Sequence, residues 1–218
     1  MRIHINITVN RAVQILLLYL FAINVAGSLF GPLYAVFINN SIIGATLKTV
    51  GFAVAIGAVS KSILQVPLAR FLDSNRGERD DFYALLAGAA ITAIYPFLLL
   101  TVSRVWHIYL LEILSGIGSA FLMAAYYSLF ARHVDKGVEG FEWSLFSVVG
   151  LTISGAIGAA IGGILADSFG FNFLFITSGI INFFILFVLF GLYPLLDGAR
   201  PVSLPPFTPI PKNPISKH

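Results

Sequence analysis

Long apolar runs, separated by short charged or polar segments, dominate the pattern of the sequence. Six of these runs are 21 to 26 residues long, and about 20 apolar residues let a helix cross the hydrocarbon core of a bilayer. The pattern therefore predicts an all-α, polytopic membrane protein with six transmembrane helices. The six predicted spans are Val13–Phe37, Thr49–Leu72, Phe82–Val102, Val105–Phe130, Ser144–Ala166 and Asn172–Pro194.

Helices are predicted rather than strands because lipid cannot satisfy open backbone groups, and the sequence lacks the alternating segments of about ten residues that are typical of a membrane barrel. Residues 1–12 are predicted to be a cytoplasmic N-terminus and residues 13–194 a six-helix bundle. From Ala199 onward the chain contains six prolines, so residues 195–218 are predicted to be a disordered, Pro-rich cytoplasmic tail.

Composition narrows the class of protein. The chain has 218 residues, of which 58% are hydrophobic and 11% charged, whereas soluble domains carry about 25% charged residues. This excludes an ordinary soluble enzyme, a disordered chain and a nucleic-acid binder, and makes the lipid bilayer the expected partner. The sequence has no cysteine and no metal-ligand spacing, nucleophile triad or phosphate loop. We therefore predict no enzyme activity, no metal site and no cofactor.

Lysine and arginine are unevenly divided between the two sides of the predicted bundle. One side holds ten of them, and the other holds only Lys48 and Arg104. Basic loops stay on the cytoplasmic side, so both termini are expected in the cytoplasm, with the protein integral to the plasma (inner) membrane. The ten are Arg2, Arg11, Arg70, Arg76, Arg79, Arg132, Lys136, Arg200, Lys212 and Lys217.

Spans one to three and spans four to six contain similar short segments. Gly27–Phe30 in span one is similar to Gly118–Phe121 in span four, and the end of span two, Leu68–Asp73, is similar to Ile164–Asp167 in span five. Two related triplets with an odd number of spans would run in opposite directions through the membrane. The chain is therefore predicted to hold two inverted three-helix repeats, which is typical of transporters.

Three motifs on successive spans carry a resemblance to a known family. The loop after span two, Ala69–Arg79, contains Asp73 and Gly77 among basic residues. The other two motifs are Glu112, Gly116, Gly118, Ser119 and Ala120 in span four, and Ser154, Gly158, Ala159, Gly162 and Gly163 in span five. In these motifs the chain resembles the N-terminal half of a major facilitator superfamily transporter, over roughly residues 13 to 194.

The chain departs from the family pattern at three positions. Ala69 replaces the leading glycine of the loop motif, Glu112 stands where the family usually has arginine, and Ala159 replaces the proline of the antiporter signature. The resemblance implies secondary active transport of a small solute by alternating access. Symport, antiport and uniport stay open, as does proton coupling.

The loop motif implies a cytoplasmic gate. In the family, a carboxylate such as Asp73 pairs with arginines, here Arg76 and Arg79, and holds the outward-facing state closed. The alternative is a solvated loop that sets topology, in which neighbouring acidic residues pair with the same arginines. Exposed ion pairs contribute about 0–1 kcal/mol, which can bias a rocking equilibrium without locking it.

Two charged residues lie within the predicted spans, Lys61 in span two and Glu112 in span four. An ionised side chain near the bilayer centre costs about 2.5–3.5 kcal/mol and usually faces a bundle interior or a water-filled path. We predict Glu112 as a proton carrier and Lys61 as an anion contact or countercharge; snorkelling of Lys61 or a purely structural pair are the alternatives. The predicted substrate and proton pathway comprises Asn24, Lys61, Gln65, Glu112, Ser115, Ser119 and Tyr126.

The remaining spans are assigned by their side chains. Span six is rich in phenylalanine, with Thr177, Ser178 and Asn182 as its polar residues, and is predicted to face lipid, as is most of span three. Glycines of span five are predicted to let another helix approach closely, and the alternative is a face that slides during transport. These packing residues are Gly155, Gly158, Gly162 and Gly163.

Six spans are one half of a complete transporter of this family. The preferred interpretation is a half-size transporter that pairs with a second copy, because the chain ends in its own polar tail after span six. The alternatives are one half of a hetero-oligomeric or truncated transporter, whose second six-span half is another chain, and a membrane scaffold without transport activity.

Overall fold

The computed structural model describes residues 9–74 and 77–196. Arg76, residues 1–8 of the predicted N-terminus and residues 197–218 of the predicted tail lie outside the described residues. The described part is helical and contains no strand, in agreement with the predicted all-α fold. Its α-helices are α1 (Arg11–Ser28), α2 (Tyr34–Ser41), α3 (Leu47–Ser74), α4 (Glu78–Leu99), α5 (Val105–His133), α6 (Glu139–Leu145) and α7 (Ser154–Phe190).

Five helical segments of the described residues are long and apolar enough to cross a membrane. They are Arg11–Ser41, Leu47–Ser74, Glu78–Leu99, Val105–His133 and Glu139–Leu195. The first three predicted boundaries between spans coincide with breaks between these segments. The last segment contains both the fifth and the sixth predicted spans.

Pro32 interrupts the first predicted span. Helix α1 ends at Ser28, a short 3₁₀ turn follows at Gly31–Leu33, and α2 begins at Tyr34. Proline removes a backbone donor and its ring clashes with the preceding turn of a helix, which explains the break. The break places Tyr34 at the start of a new helix beside the site described below.

Gly170 interrupts α7. Its φ of 80° and ψ of 174° are not helical, and glycine reaches such a conformation without the clash that a side chain would cause. Gly170 lies between the fifth and sixth predicted spans. It divides α7 into a first part, residues 154–169, and a second part, residues 171–190.

The segment before Gly170 packs along α1. A side-chain carbon placed on Gly150 would lie 2.5 Å from Leu20, and one placed on Gly162 would lie 1.8 Å from the carbonyl oxygen of Leu29. The later residue of this segment thus meets the later residue of α1. The segment before Gly170 therefore runs parallel to α1.

After Gly170, the direction of these contacts is the opposite. The hydroxyl of Ser178 donates to the carbonyl oxygen of Ala26 at 2.7 Å, and a side-chain carbon placed on Gly191 would lie 3.7 Å from Ile15. Later residues now meet earlier residues of α1. The two parts of α7 therefore run antiparallel, and both pack against α1.

Helix α5 packs mainly against two other helices. It packs between α3 and α4, while α4 also packs against α7. A large apolar core, which includes Leu16, Tyr19, Leu85, Tyr126 and Phe130, joins these helices. The helices leave a cavity between them, which is lined by residues of α1, α3, α4, α5 and α7.

The segment before α7 is a π-helix, Phe146–Ile153. Backbone hydrogen bonds of a π-helix span one more residue than those of an α-helix, and such segments are frequent at functional sites. This one packs against α1.

Candidate functional site

A cavity of about 320 Å³ lies where α1, α3, α4, α5 and α7 meet. This volume falls in the range of about 300–1,000 Å³ that is typical of small-molecule sites. The residues that line it are Gly27, Phe30, Gly31, Tyr34, Val54, Gly57, Ala58, Lys61, Thr92, Tyr95, Glu112, Ser115, Gly116, Ser119 and Asn182. Four predicted pathway residues, Lys61, Glu112, Ser115 and Ser119, are therefore brought together here.

Glu112 on α5 is the buried carboxylate of this cavity, with 8% of its surface exposed. Its Oε1 accepts hydrogen bonds from the hydroxyls of Tyr34 and Tyr95, the latter at 2.8 Å. Hydrogen bonds to an ionised carboxylate are roughly twice as strong as those between neutral groups. The two tyrosines, which come from α2 and α4, thus hold the carboxylate in one orientation.

Two glycines bring α3 and α5 close enough for this arrangement. A side-chain carbon on Gly57 would lie 2.5 Å from Oε2 of Glu112, and one on Gly116 would lie 2.6 Å from the carbonyl oxygen of Gly57. Neither distance is possible for a real side chain. The absence of a side chain at Gly57 therefore makes room for the carboxylate itself.

Lys61 is one helical turn beyond Gly57 on α3 and lines the same cavity. Val54, Ala58 and Lys61 follow one another at steps of three or four, so they share one face of α3. Within the described residues, the Lys61 ammonium forms no ion pair with Glu112. The cavity is thus lined by one basic and one acidic side chain that are not joined by an ion pair.

Asn182 is a cavity residue that the sequence interpretation placed in a lipid-facing helix. Only 5% of its surface is exposed. Its Nδ2 lies 3.5 Å from the hydroxyl of Ser178, while its Oδ1 has no hydrogen-bond partner among the described residues. Ser178 and Asn182 face inward, because the second part of α7 packs these residues against α1 and exposes phenylalanines such as Phe184 instead.

Asn24, another predicted pathway residue, connects α1 to the π-helix. Its Nδ2 donates to the carbonyl oxygen of Leu151 at 2.8 Å and to the hydroxyl of Ser154 at 2.7 Å. Asn24 and Ser119 also line a smaller cavity of about 140 Å³. Asn24 therefore lies next to the main cavity, and its hydrogen bonds connect α1 to the π-helix and to the start of α7.

The last two predicted pathway residues lie elsewhere. Tyr126 is fully buried in the apolar core, donates to the carbonyl oxygen of Leu16 at 3.1 Å and stacks on Phe130 at 5.8 Å. Gln65 lines a separate cavity of about 330 Å³ together with Asp73. This second cavity lies toward the end of α3 that carries the predicted gate.

The two predicted gate residues that the structure describes, Asp73 and Arg79, form no ion pair with each other. Asp73 lines the cavity that also contains Arg132. The guanidinium of Arg79 lies 5.9 Å from the ring centre of Tyr193, in a cation–π contact. Arg76, the third predicted gate residue, lies outside the described residues.

A buried ion pair lies at the same end of the bundle. Arg132 at the end of α5 contacts Asp81 at the start of α4 at 3.2 Å, and Asp81 is fully buried. The hydroxyl of Ser128 donates to the same Asp81 oxygen at 3.2 Å, and Arg132 donates to the carbonyl oxygen of Leu72 at 3.4 Å. This pair joins α3, α4 and α5. The pair was not predicted from the sequence, because Asp81 and Arg132 each have several charged neighbours in the sequence and no local pattern indicates which charges meet.

The predicted packing glycines have different surroundings. A side-chain carbon placed on Gly158 would lie 2.4 Å from the carbonyl oxygen of Val25. One placed on Gly162 would lie 1.8 Å from the carbonyl oxygen of Leu29. At Gly155 the nearest atom is 3.5 Å away, which is ordinary contact, and at Gly163 no heavy atom of the described chain lies within 4 Å. Close approach to α1 therefore depends on Gly158 and Gly162.

Comparison with known proteins gives the family. No curated protein and no solved structure matches the chain. The model of the Major Facilitator Superfamily matches residues 16–216, which is most of the sequence, and 218 residues fit a half-size protein of this family. The chain belongs to the major facilitator superfamily.

Proposed function

We propose that this protein is a half-size secondary active transporter that moves a small solute by alternating access as a pair of six-span halves. The observation that carries the proposal is the cavity of about 320 Å³ with Lys61 and Glu112 in its wall. Charged groups buried in a membrane bundle are costly and mark solute or ion pathways.

The six-span arrangement, with two inverted three-helix repeats, is part of this proposal. It is supported by the antiparallel contacts of the two parts of α7 with α1 on either side of Gly170. It is also supported by the packing of α1 against both parts of α7, which parallels the packing of α5 between α3 and α4. In an inverted repeat, α1 and α5 would be equivalent helices.

The second half of the transporter would cover α3 and the first part of α7. Only 6% of the most apolar stretch of α3 is buried, compared with 50% of that of α4. Large apolar side chains such as Ile63 on α3 and Ile161 on α7 are exposed. If the partner is a second copy, both copies keep the same orientation, so the symmetry axis runs along the membrane normal.

Both termini would be cytoplasmic in the plasma (inner) membrane, as the distribution of basic residues predicts. The gate of Asp73, Arg76 and Arg79 would then lie on the cytoplasmic side. Asp73 would pair with arginines of either half in the outward-facing state, and this contact would break as the halves rock.

Glu112 would carry the proton that couples transport to a pH gradient. Its ionised form is stabilised by the hydroxyls of Tyr34 and Tyr95, and protonation would remove the negative charge from the cavity. Coupling follows if the solute is bound with different affinity in the two forms.

The test measures uptake into proteoliposomes with an imposed pH gradient. Vesicles containing the protein are exposed to a defined mixture of amino acids, sugars, nucleosides and organic amines, and accumulated solutes are identified by mass spectrometry. At least one solute should accumulate, and Glu112→Gln should abolish the dependence on the pH gradient. Glu139→Gln is the control, because Glu139 lies at the start of α6, away from the cavity.

Each result bears on a different part of the proposal. Accumulation that Glu112→Gln leaves fully dependent on pH would contradict the role of Glu112 while supporting transport. No accumulation of any class of solute would contradict the transporter and favour a scaffold.

A further inference from the structure

The chemistry of the cavity selects a class of solute. Polar residues from three elements line it: Lys61 of α3, Glu112 of α5 and Asn182 of α7. The two charges do not pair with each other among the described residues. The Oδ1 of Asn182 is a buried acceptor without a donor in the same part of the chain.

We infer that the cavity binds a small zwitterion of the amino-acid class, with its ammonium at Asn182 Oδ1 and Glu112 and its carboxylate at Lys61. The inference rests on the proposed transport function and specifies its solute. A zwitterion brings one charge of each sign, so it can compensate the half-buried Lys61 and the buried Glu112 at once. An organic cation or an organic anion would leave one of the two uncompensated.

Asn182 is the strongest sign that a donor belongs in the cavity. A buried acceptor without a partner costs free energy, and native proteins rarely keep one without a reason. The Nδ2 of Asn182 is directed to Ser178, which leaves Oδ1 as the free acceptor. An ammonium group carries three donors, so it can contact both Asn182 and Glu112.

The rest of the lining favours an apolar side chain on the solute. Phe30, Val54 and Ala58 line the cavity beside the charged groups, and apolar surface is buried favourably against such residues. A sugar or a nucleoside would require many more polar partners than these walls offer.

Binding to the purified full chain in lipid nanodiscs tests the inference without requiring transport. The probes are L-leucine, L-phenylalanine and L-alanine, together with 3-methylbutylamine, which is leucine without its carboxylate, and 4-methylpentanoate, which is leucine without its amine. At least one amino acid should bind saturably by isothermal titration calorimetry. Leucine should bind at least tenfold more tightly than either of its two analogues.

Variants locate the two charges of the ligand. Lys61→Met should weaken leucine binding at least tenfold, to the level of 3-methylbutylamine, and leave binding of the amine unchanged. Lys48→Met on the same helix is the control, since Lys48 is exposed and does not line the cavity.

Asn182→Leu should weaken the binding of both L-leucine and 3-methylbutylamine at least tenfold. It removes a buried polar group without a full set of partners, so the melting temperature should not fall. Asn172→Leu, at an exposed asparagine of the same helix, is the control. If Asn182→Leu does not fold, Asn182→Asp keeps the acceptor oxygen and should retain binding of both.

The results separate this inference from the proposed function. Equal affinity of leucine and either analogue would overturn the zwitterion site, as would failure of all three amino acids to bind. If another solute is then transported, the proposed function stands without this inference. Amino-acid binding that depends on Lys61 and Asn182, without flux, would support the site and contradict transport.

Discussion

The position of a single carboxylate decides what the cavity can do. Glu112 is held by two tyrosines from different helices, and its other oxygen occupies the space that a side chain at Gly57 would fill. The bundle therefore reserves space for an ionisable group at its centre. Such a group costs stability inside a membrane bundle, and the proposed role of Glu112 in proton transfer would account for it.

Gly57→Ala should displace the Glu112 carboxylate. The new methyl group would lie 2.5 Å from Oε2, so the side chain must leave its tyrosine partners or α3 must move away from α5. Inserting a methyl group into a packed interior costs about 1–3 kcal/mol. The free energy of unfolding, measured by SDS titration in mixed micelles, should fall by this amount.

Gly51→Ala is the matched control for this prediction. Gly51 lies on the same helix and has open space around it, with no heavy atom of the described chain within 4 Å. The variant should be as stable as the original protein or slightly more stable, because alanine favours a helix by about 0.5–1 kcal/mol over glycine. Equal losses for the two variants would contradict the explanation.

Single residues of the site were predictable when they broke the apolar pattern. Lys61 and Glu112 stand out in the sequence because a charge within a long apolar run is rare. Tyr34, Tyr95 and Asn182 do not stand out, since tyrosine and asparagine also occur at interfaces and in helix packing. Their part in the site depends on which side of each helix faces inward, which a single sequence does not contain.

Among the helix pairs, α1 and the first part of α7 cross with their backbones close together. The backbone of α1 at Val25 and Leu29 lies against Gly158 and Gly162. Without a strong hydrophobic effect inside lipid, such small-residue contacts supply much of the association between membrane helices. This crossing forms one wall of the bundle, and the Asn24 hydrogen bonds reinforce it.

Gly162→Ala and its neighbour Gly163→Ala should differ strongly. At Gly162 the added carbon would lie 1.8 Å from the carbonyl oxygen of Leu29. This oxygen belongs to the backbone, which cannot move aside as easily as the end of a flexible side chain. We expect a loss of about 3 kcal/mol or more in the free energy of unfolding. Gly163→Ala adds its carbon in open space and should leave that free energy unchanged or raise it slightly.

The same titration in mixed micelles measures both variants. A similar loss at both positions would show that the loss at Gly162 does not come from its contact with α1. Retained stability of Gly162→Ala would show that the two helices can separate by the width of a methyl group without cost.

The helices themselves were largely predictable, because their length and apolar character are set by the thickness of the bilayer. Pro32 and Gly170 are the two places where the local chemistry interrupts them. The sequence placed a boundary near Gly170. It did not predict the π-helix at Phe146–Ile153, which depends on packing against α1.

For the whole molecule, the question is what covers the exposed faces of α3 and of the first part of α7. Ile63 is 65% exposed and Ile161 is 43% exposed, and in the proposed dimer each would face the other helix of the partner copy. The chain has no cysteine, so any disulfide that forms between two chains must join the cysteines that were introduced.

Chains with Ile63→Cys, mixed with chains with Ile161→Cys in lipid vesicles, should form a disulfide-linked dimer on mild oxidation. The control is Phe184→Cys in place of Ile161→Cys, since Phe184 is 64% exposed on the second part of α7, away from the proposed interface. Denaturing gel electrophoresis measures the yield. A strict monomer by native mass spectrometry, or equal yields with the control, would contradict the paired halves.

By itself, the sequence determined the membrane class, the helices and the family, because apolar length, charge distribution and short motifs are local properties of the chain. The tertiary structure decided which polar groups meet. It brought Glu112 to two tyrosines, left Lys61 in the same cavity without an ion pair to any described residue, and turned Asn182 inward. Tyr34 and Glu112, for example, are 78 positions apart, and such contacts depend on the rotation and crossing of each helix, which local patterns do not specify.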